Sequence, residues 1–300
     1  MPIPESQLDT WSHQGSVTSA KATYDSIRTA LTASGSPVKD INFEVYLQGS
    51  YKNDTNIRGD SDVDVVCQLN RTIRYDISEL TTEETALYEA KITKPTYRWG
   101  DFRADVLTAL RAYYGAGAIS EGNKSVKIAS ASGRLAADLV VCMQYRKYKS
   151  FQGPSEESFV EGIVFYEQRG GREIINFPKI HYDNGVEKNS ESRTNGWYKP
   201  TVRVFKNART YLIGKGLLSE TIAPSYFLEC LTYNVPDNAF EINFQNTFCK
   251  VVNWLQNAEL SELLCQNKQQ SLFGDTPEQW SIDSAKHLLA KLINLWNNWQ

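Results

Sequence analysis

The sequence holds few of the residues that build metal cages or cross membranes. Its three histidines, His13, His181 and His287, are scattered and form no His-x-x-x-His pair. A histidine-based metal centre is therefore not expected, and each reads as a surface or capping residue. Five cysteines (Cys67, Cys142, Cys230, Cys249, Cys265) stand in apolar settings without metal-ligand spacing. They read as buried thiols of a reducing compartment, which points to the cytoplasm. The longest apolar runs, such as 139–143, are far too short to span a bilayer. The N-terminal MPIPESQLDTW has neither the basic region nor the apolar run of a signal peptide. A Gly-x-x-x-x-Gly-Lys-Ser/Thr loop is missing, and Gly115-Ala-Gly117 follows a helical pattern rather than a strand. Neither a P-loop nor a dinucleotide fingerprint is present. Excess positive charge is missing too: 32 Lys and Arg face 35 Asp and Glu, a net charge of −3. That balance argues against constitutive binding to long nucleic acid.

What is present is ordinary in bulk and unusual in one stretch. Three hundred residues with 41% hydrophobic and 22% charged side chains can bury a substantial core. The unusual stretch is 47–66, LQGSYKNDTNIRGDSDVDVV. An Asp-x-Asp on a strand places Asp62 and Asp64 on one face, because side chains alternate with period two. Like charges so placed have no packing value of their own, and a shared cation relieves their repulsion. Oxygen-only ligands suit Mg²⁺ or Mn²⁺ better than zinc. Upstream, Gly49-Ser50 follows the strand pattern of 41–47, where glycine lets backbone approach a phosphate and serine adds a hydroxyl. Each feature alone is common in loops; together they are more specific, and a phosphate cradle beside a two-carboxylate metal site is what nucleotidyl transfer needs.

Along the chain, 16–33 reads as an amphipathic helix with Ala20, Tyr24, Ile27 and Leu31 on one face. Residues 41–47 and 63–69 read as strands, separated by a polar, turn-rich segment at 52–60. Helices are expected at 82–91 and 99–114. Strands at 125–129 and 134–144 form a plausible hairpin around Ser130-Ala-Ser-Gly133. The second of these places Asp138 in an apolar run, where a buried carboxylate needs a partner. That partner is either a cation such as Arg134 or Arg146, or a bound metal. Two further short strands at 162–167 and 173–177 end at Pro178, and the polar segment 183–195 reads as a loop and lobe boundary. Helices follow at 198–213, 224–233, 242–255 and 282–299. On the first of them Lys199, Arg203, Lys206 and Thr210 share a face, which is either a solvated basic stripe or an anion site.

Gly-Ser, a spacer, then Asp-h-Asp-h resembles the signature of the DNA polymerase β-like nucleotidyltransferases. The string QGSYKNDTNIRGDSDVDVV is similar to the bacterial branch related to cyclic GMP–AMP synthase, the DncV-like CD-NTases. KPTVRVFKNARTYL and APSYFLECL resemble that family's lysine-bearing helix and Ser-Tyr helix start, so the likeness spans most of 41–233. The resemblance implies an α/β (α+β) fold: a catalytic lobe with a mixed sheet over 1–182, a helical lobe over 196–300, and an active site in the cleft between them. It implies two Mg²⁺ ions, with Mn²⁺ an alternative, on Asp62, Asp64 and Asp138. Asp138 would also help deprotonate the acceptor ribose. Gln48, Gly49 and Ser50 would hold the NTP together with Lys206 on its triphosphate, Ser225 beside it and Tyr226 stacked on a base. The implied activity is synthesis of a cyclic di- or trinucleotide messenger from NTPs, ATP or GTP among them, with release of pyrophosphate. The setting is CBASS-type antiphage defence, with a downstream effector reading the product and the enzyme monomeric. The alternatives are a nucleotidyltransferase acting on RNA, a protein or a small molecule, and a silent nucleotide-binding module. The net charge disfavours the RNA reading, and three intact carboxylates disfavour the silent one. Two features of relatives are not matched. The zinc ribbon and basic platform of the animal DNA sensor are missing, and the chain ends Asn-Asn-Trp-Gln rather than in the small residue used for ubiquitin-like tethering.

Overall fold

A computed structural model describes residues 1–58 and 62–299; residues 59–61, within the spacer before Asp62, lie outside it. In chain order the elements are α1 (Glu5–Ser12), α2 (Thr18–Thr32), β1 (Phe43–Leu47), α3 (Gly49–Asn53), β2 (Asp62–Asp76), α4 (Thr82–Glu89) and α5 (Trp99–Tyr114). Then come β3 (Ile119–Glu121), β4 (Val126–Ile128), β5 (Ala136–Gly153), β6 (Glu156–Tyr166) and β7 (Glu173–Asn176). The remaining helices are α6 (Pro178–Lys188), α7 (Tyr198–Gly214), α8 (Ser225–Asn234), α9 (Phe244–Asn257) and α10 (Ile282–Asn297). The chain divides into two compact units, residues 16–51 with 61–178, and residues 1–15 with 52–60 and 179–300. Against expected lobes at 1–182 and 196–300, α1 and the segment 52–58 go with the C-terminal helices.

The first unit is a mixed sheet in the order β1-β2-β5-β4-β3, with β6 on the outer half of β5 and β7 beside β6. β2 and β5 are parallel neighbours, and the other pairings are antiparallel. A parallel pair needs a long crossover, here supplied by α4, α5 and the β3–β4 hairpin. The hairpin around Ser130–Gly133 is as expected, but β2, β5 and β6 extend well past the apolar stretches. Ion pairs sustain the extension: Arg146 meets Glu157 at 2.8 Å, and Lys147 meets Glu79 at 2.7 Å. Beneath them Tyr88, Tyr148 and Phe151 form a small buried aromatic cluster. An apolar-periodicity reading stops where cross-strand charges take over from buried aliphatics.

The second unit is helical, built around Tyr198, Val202, Phe205, Leu228, Phe248, Leu288 and their neighbours. The expected loop at 183–195 is half helix, since α6 runs through it from Pro178, a residue suited to the first helical turn. Some of its polar side chains mislead because they are buried or partly buried with partners. Asn184 donates to the Gln266 carbonyl at 2.7 Å, and the Lys188 ammonium donates to the Val235 carbonyl at 2.7 Å and meets Asp237 at 3.0 Å. Among the described residues no helix is long and apolar enough to cross a membrane. Four of the cysteines are buried thiols as expected, and Cys249 is partly exposed.

Gly185, mid-helix in α6, makes the tightest approach there. A Cβ at this position would stand 2.5 Å from the Gln266 amide nitrogen. That amide is held by the His181 carbonyl at 2.6 Å. Alanine usually stabilises a helix relative to glycine by ~0.5–1 kcal/mol. Gly185→Ala should do the reverse and cost ~1–3 kcal/mol of overpacking. Denaturant titration checks the sign; a gain in stability would show that Gln266 yields freely.

Candidate active site

Pairing register decides where the carboxylates lie. Asp64 stands directly opposite Asp138 across the parallel β2–β5 pair, and Asp62, opposite Ala136, is two residues back on the same face. Neighbouring strands are ~4.8 Å apart, so the three acids share one small patch at the start of both strands. Alternation does the rest. Val63 and Val65 point the other way and are fully buried, while Asp62 is exposed and Asp64 and Asp138 are half-buried. Further along the same face, Val66, Val140 and Cys142 join Ile163, Phe165 and Ile174 in an apolar cluster. The acids are the wet rim of a dry face.

Neither arginine considered for Asp138 pairs with it. Arg134 donates to the Ala129 carbonyl and lies over Tyr114, and Arg146 is held by Glu157. Asp138 instead accepts from Ser125 Oγ at 3.2 Å, with Lys127 Nζ at 3.8 Å, both from β4 or its edge. These are weak, partly exposed contacts that rotate away at little cost. Among the described residues no three His, Cys, Asp or Glu side chains are gathered into a ready metal cage. The donor set nonetheless fits a hard divalent cation: oxygen atoms only, from adjacent positions on one sheet face. A turn of the Asp138 side chain away from Ser125 and Lys127 is the movement such a cation asks for.

Gly49 and Gln48 bind this patch to the preceding strand. The Gln48 amide donates to the Asp64 carbonyl at 3.0 Å, continuing the β1–β2 ladder. At Gly49 the chain turns with φ +64°, and a Cβ there would stand 2.2 Å from Asp64 Oδ2. Only glycine leaves room for that carboxylate. Ser50, partly exposed, is in the first turn of α3, where a plain strand-ending turn was expected.

The candidates in the helical unit are placed less simply. Ser225 and Tyr226 open α8, and Tyr226 is 41% exposed with its ring stacked on His181 at 5.3 Å and 24°. Burial of its hydroxyl against Cys230 and Cys265 pushes the phenol pKa up. Lys206 is not on a solvated stripe. It is 2% exposed, and its ammonium donates to the Thr55 carbonyl at 2.9 Å. Lys199 likewise meets Asp54 at 2.8 Å, and Arg203 donates to the carbonyls of Asp54 and Ser12. The stripe grips the segment after α3, which periodicity alone cannot reveal because the acceptors lie far away in sequence and two of them are backbone atoms.

That segment carries the polar residues the sequence reading passed over. Asn53, Thr55, Asn56 and Ile57 are buried, although 52–60 reads as a polar turn; residues 59 and 60 lie outside the description. Asn53 donates at 3.0 Å to Glu229, 4% exposed, which also accepts from the Thr55 hydroxyl and faces His181 Nε2 at 3.1 Å. Burial pushes the Glu229 pKa up, yet His181, Lys206 and Thr55 together bring it below the ordinary glutamate value. Its stabilisation is therefore present above that ordinary value and is lost as pH falls through the lowered one. His181, expected at the surface, is 5% exposed, and its Nδ1 has no hydrogen-bond partner. The signal was present: Glu229 is a lone acid in the apolar run SYFLECL, the same oddity that marks Asp138.

Gly49→Ala provides a test of the patch. The Cβ must displace the Asp64 carboxylate, and the left-handed turn adds ~1–2 kcal/mol of strain. Calorimetric titration of Mn²⁺ with a non-hydrolysable NTP analogue should show metal affinity weakened by about 10–100-fold. Parental affinity would mean that Asp64 does not bind metal from this position.

Known proteins match this geometry. Residues 183–297 match the cGAS/DncV-like nucleotidyltransferase C-terminal helical domain. The chain is 51% identical to the cyclic UMP-AMP synthase of Rhodothermus marinus, over all of this chain and 99% of that one. The structure of that enzyme with the analogues Apcpp and Upnpp superimposes with a TM-score of 0.89, covering 99% of this chain and 98% of that one. A cyclic nucleotide synthase of Staphylococcus haemolyticus is 41% identical over the full length of both chains. The Elizabethkingia meningoseptica CdnE cyclic dinucleotide synthase with GTP and Apcpp has a TM-score of 0.74 at 28% identity, covering 98% of each chain. With the paired aspartates in register and this likeness along its whole length, the chain belongs to the cGAS/DncV-like nucleotidyltransferases and is a cyclic nucleotide synthase.

Proposed function

We propose that the chain joins two NTPs into a cyclic dinucleotide, with Asp62, Asp64 and Asp138 as its catalytic acids. The observation that carries this is the register of Asp64 against Asp138 with Asp62 on the same face. One linkage forms when the acceptor ribose hydroxyl attacks the donor α-phosphate in line. The hydroxyl loses its proton, an O–P bond forms, and the bond to the β-phosphate oxygen breaks to release pyrophosphate. A second such step between the same two nucleotides closes the ring. Asp138, beside Asp64 and only weakly tied to Ser125, is the base that takes the first proton. The divalent metal, which we assign as two Mg²⁺, supplies charge neutralisation on the phosphates and is held by Asp62, Asp64 and Asp138. Gln48, Gly49 and Ser50 hold the donor phosphates, and in the helical unit Ser225 hydrogen-bonds nucleotide and Tyr226 stacks on a base. Lys206 supports this region through Thr55 instead of gripping phosphate itself.

Uridine with adenosine is the base pair we propose, from the 51% identical relative named for that product. Relatives at 33–34% identity are named for dipurine and dipyrimidine products, so base choice varies within the family. The setting we assign is a cytoplasmic antiphage response in which an effector reads the nucleotide.

The purified protein with Mg²⁺ and all four NTPs should yield a cyclic dinucleotide containing U and A by mass spectrometry. A linear product, or transfer to an added RNA, would favour the alternative nucleotidyltransferase reading. In Asp62→Asn with Asp64→Asn, pyrophosphate release should vanish while the thermal midpoint holds or rises, since like-charge repulsion is removed. Unchanged turnover in that double variant would reduce the pair to surface acids.

A further inference from the structure

The catalytic motif is interrupted. Gly49-Ser50 belongs to the sheet unit and so does Asp62, but the chain between them, 52–60, belongs to the helical unit. Whatever fixes that excursion also constrains Gly49-Ser50, which shares α3 with Asn53. The excursion is held by several elements of the helical unit, among them α6, where Tyr182 lies under Lys52. α7 contributes Lys199 on Asp54, Arg203 on the Asp54 carbonyl and Lys206 on the Thr55 carbonyl. The N-terminal segment contributes Gln14 on the Asn56 side chain at 2.8 Å, and the Gly15 amide on the Asn56 carbonyl at 3.0 Å. α8 contributes one residue, Glu229.

Glu229 differs from the others in what else it joins. It lies four residues after Ser225 and three after Tyr226, so all three share one side of α8. The His181 ring, stacked on Tyr226, points Nε2 at the same carboxylate that takes Asn53 and Thr55. One buried carboxylate thus ties together the helix start assigned to the nucleotide and the segment leading to Asp62. A carboxylate this buried is costly unless fully hydrogen-bonded, and a folding role alone would be met equally well by apolar residues.

We propose that Glu229 is a positioning residue for catalysis: by holding Asn53 and Thr55, it fixes the end of α3 and the residues after it, and through α3 the Gly49-Ser50 turn. It touches neither substrate nor reacting atoms. This rests on the nucleotidyl-transfer reading above and adds a residue to it.

Glu229→Gln keeps the shape and removes the charge and one acceptor. Per folded molecule kcat should fall by about 10–100-fold with KM for NTPs nearly unchanged, as for loss of a supporting contact behind a catalytic group. Thr55→Val, which deletes one hydroxyl of the same network, should reproduce part of the loss. The double variant should then lose clearly less than the product of the two single losses, because both act through one contact. Hydrogen exchange without nucleotide should accelerate over 49–58 in Glu229→Gln and stay at parental levels in α9 and α10. Multiplicative losses, a parental kcat per folded molecule, or unchanged exchange over 49–58 would each overturn the proposal. Should Glu229→Gln fail to fold, Thr55→Val decides alone, by its kcat and by exchange over the same residues. A parent protein inert with all four NTPs would count against the enzymatic reading instead, and the exchange measurement would still judge the clamp.

Discussion

Two carboxylates in register on neighbouring parallel strands repel, and much of the sheet unit is arranged to tolerate it. Asp64 and Asp138 face each other because β2 and β5 run parallel, which requires the long crossover through α4, α5 and the β3–β4 hairpin. That crossover also delivers Ser125 and Lys127 to Asp138 as weak partners. Gly49 keeps the space beside Asp64 clear. The opposite face anchors the arrangement, with Val63 and Val65 buried so that a one-residue slip of β2 would turn valines to water and aspartates to the core.

How much of this was legible in the sequence depends on what kind of residue carried the information. The strand placing Asp62 and Asp64 on one face and the 125–144 hairpin could be read directly, since each rests on spacing within one short stretch. Helices α2, α5, α7, α9 and α10 were legible for the same reason, their apolar faces repeating along the chain. The failures share a cause. At 52–58 and 178–188 several polar residues, Asn53, Thr55, Asn56, His181 and Lys188, are buried, so polarity suggested loop where long-range hydrogen bonds hold ordered structure. Lys206 illustrates it: its partner, the Thr55 carbonyl, lies 151 residues away and is a backbone atom with no sequence signature. Register across β2 and β5, which makes Asp138 the partner of Asp64, is likewise a tertiary fact.

The buried polar segment has a cost and a consequence. Asn53, Thr55, Asn56, Glu229 and Lys206 are buried, and replacing such a polar group as a whole by well-packed apolar residues is often neutral or stabilising, whereas removing one member strands its partners. What hydrogen bonds add over apolar contact is direction. A carboxylate with three defined donors tolerates one placement of its partners, whereas an aliphatic side chain tolerates several. Direction is what a metal site needs from its surroundings, because small displacements of its ligands are felt strongly in affinity and rate.

Manganese gives the most direct test of the carboxylate patch. Crystals grown with Mn²⁺ and a non-hydrolysable NTP analogue, measured at the manganese absorption edge, should show anomalous density in contact with the carboxylates of Asp62, Asp64 and Asp138. Bound nucleotide with manganese density away from these three side chains would contradict the assignment of the active site.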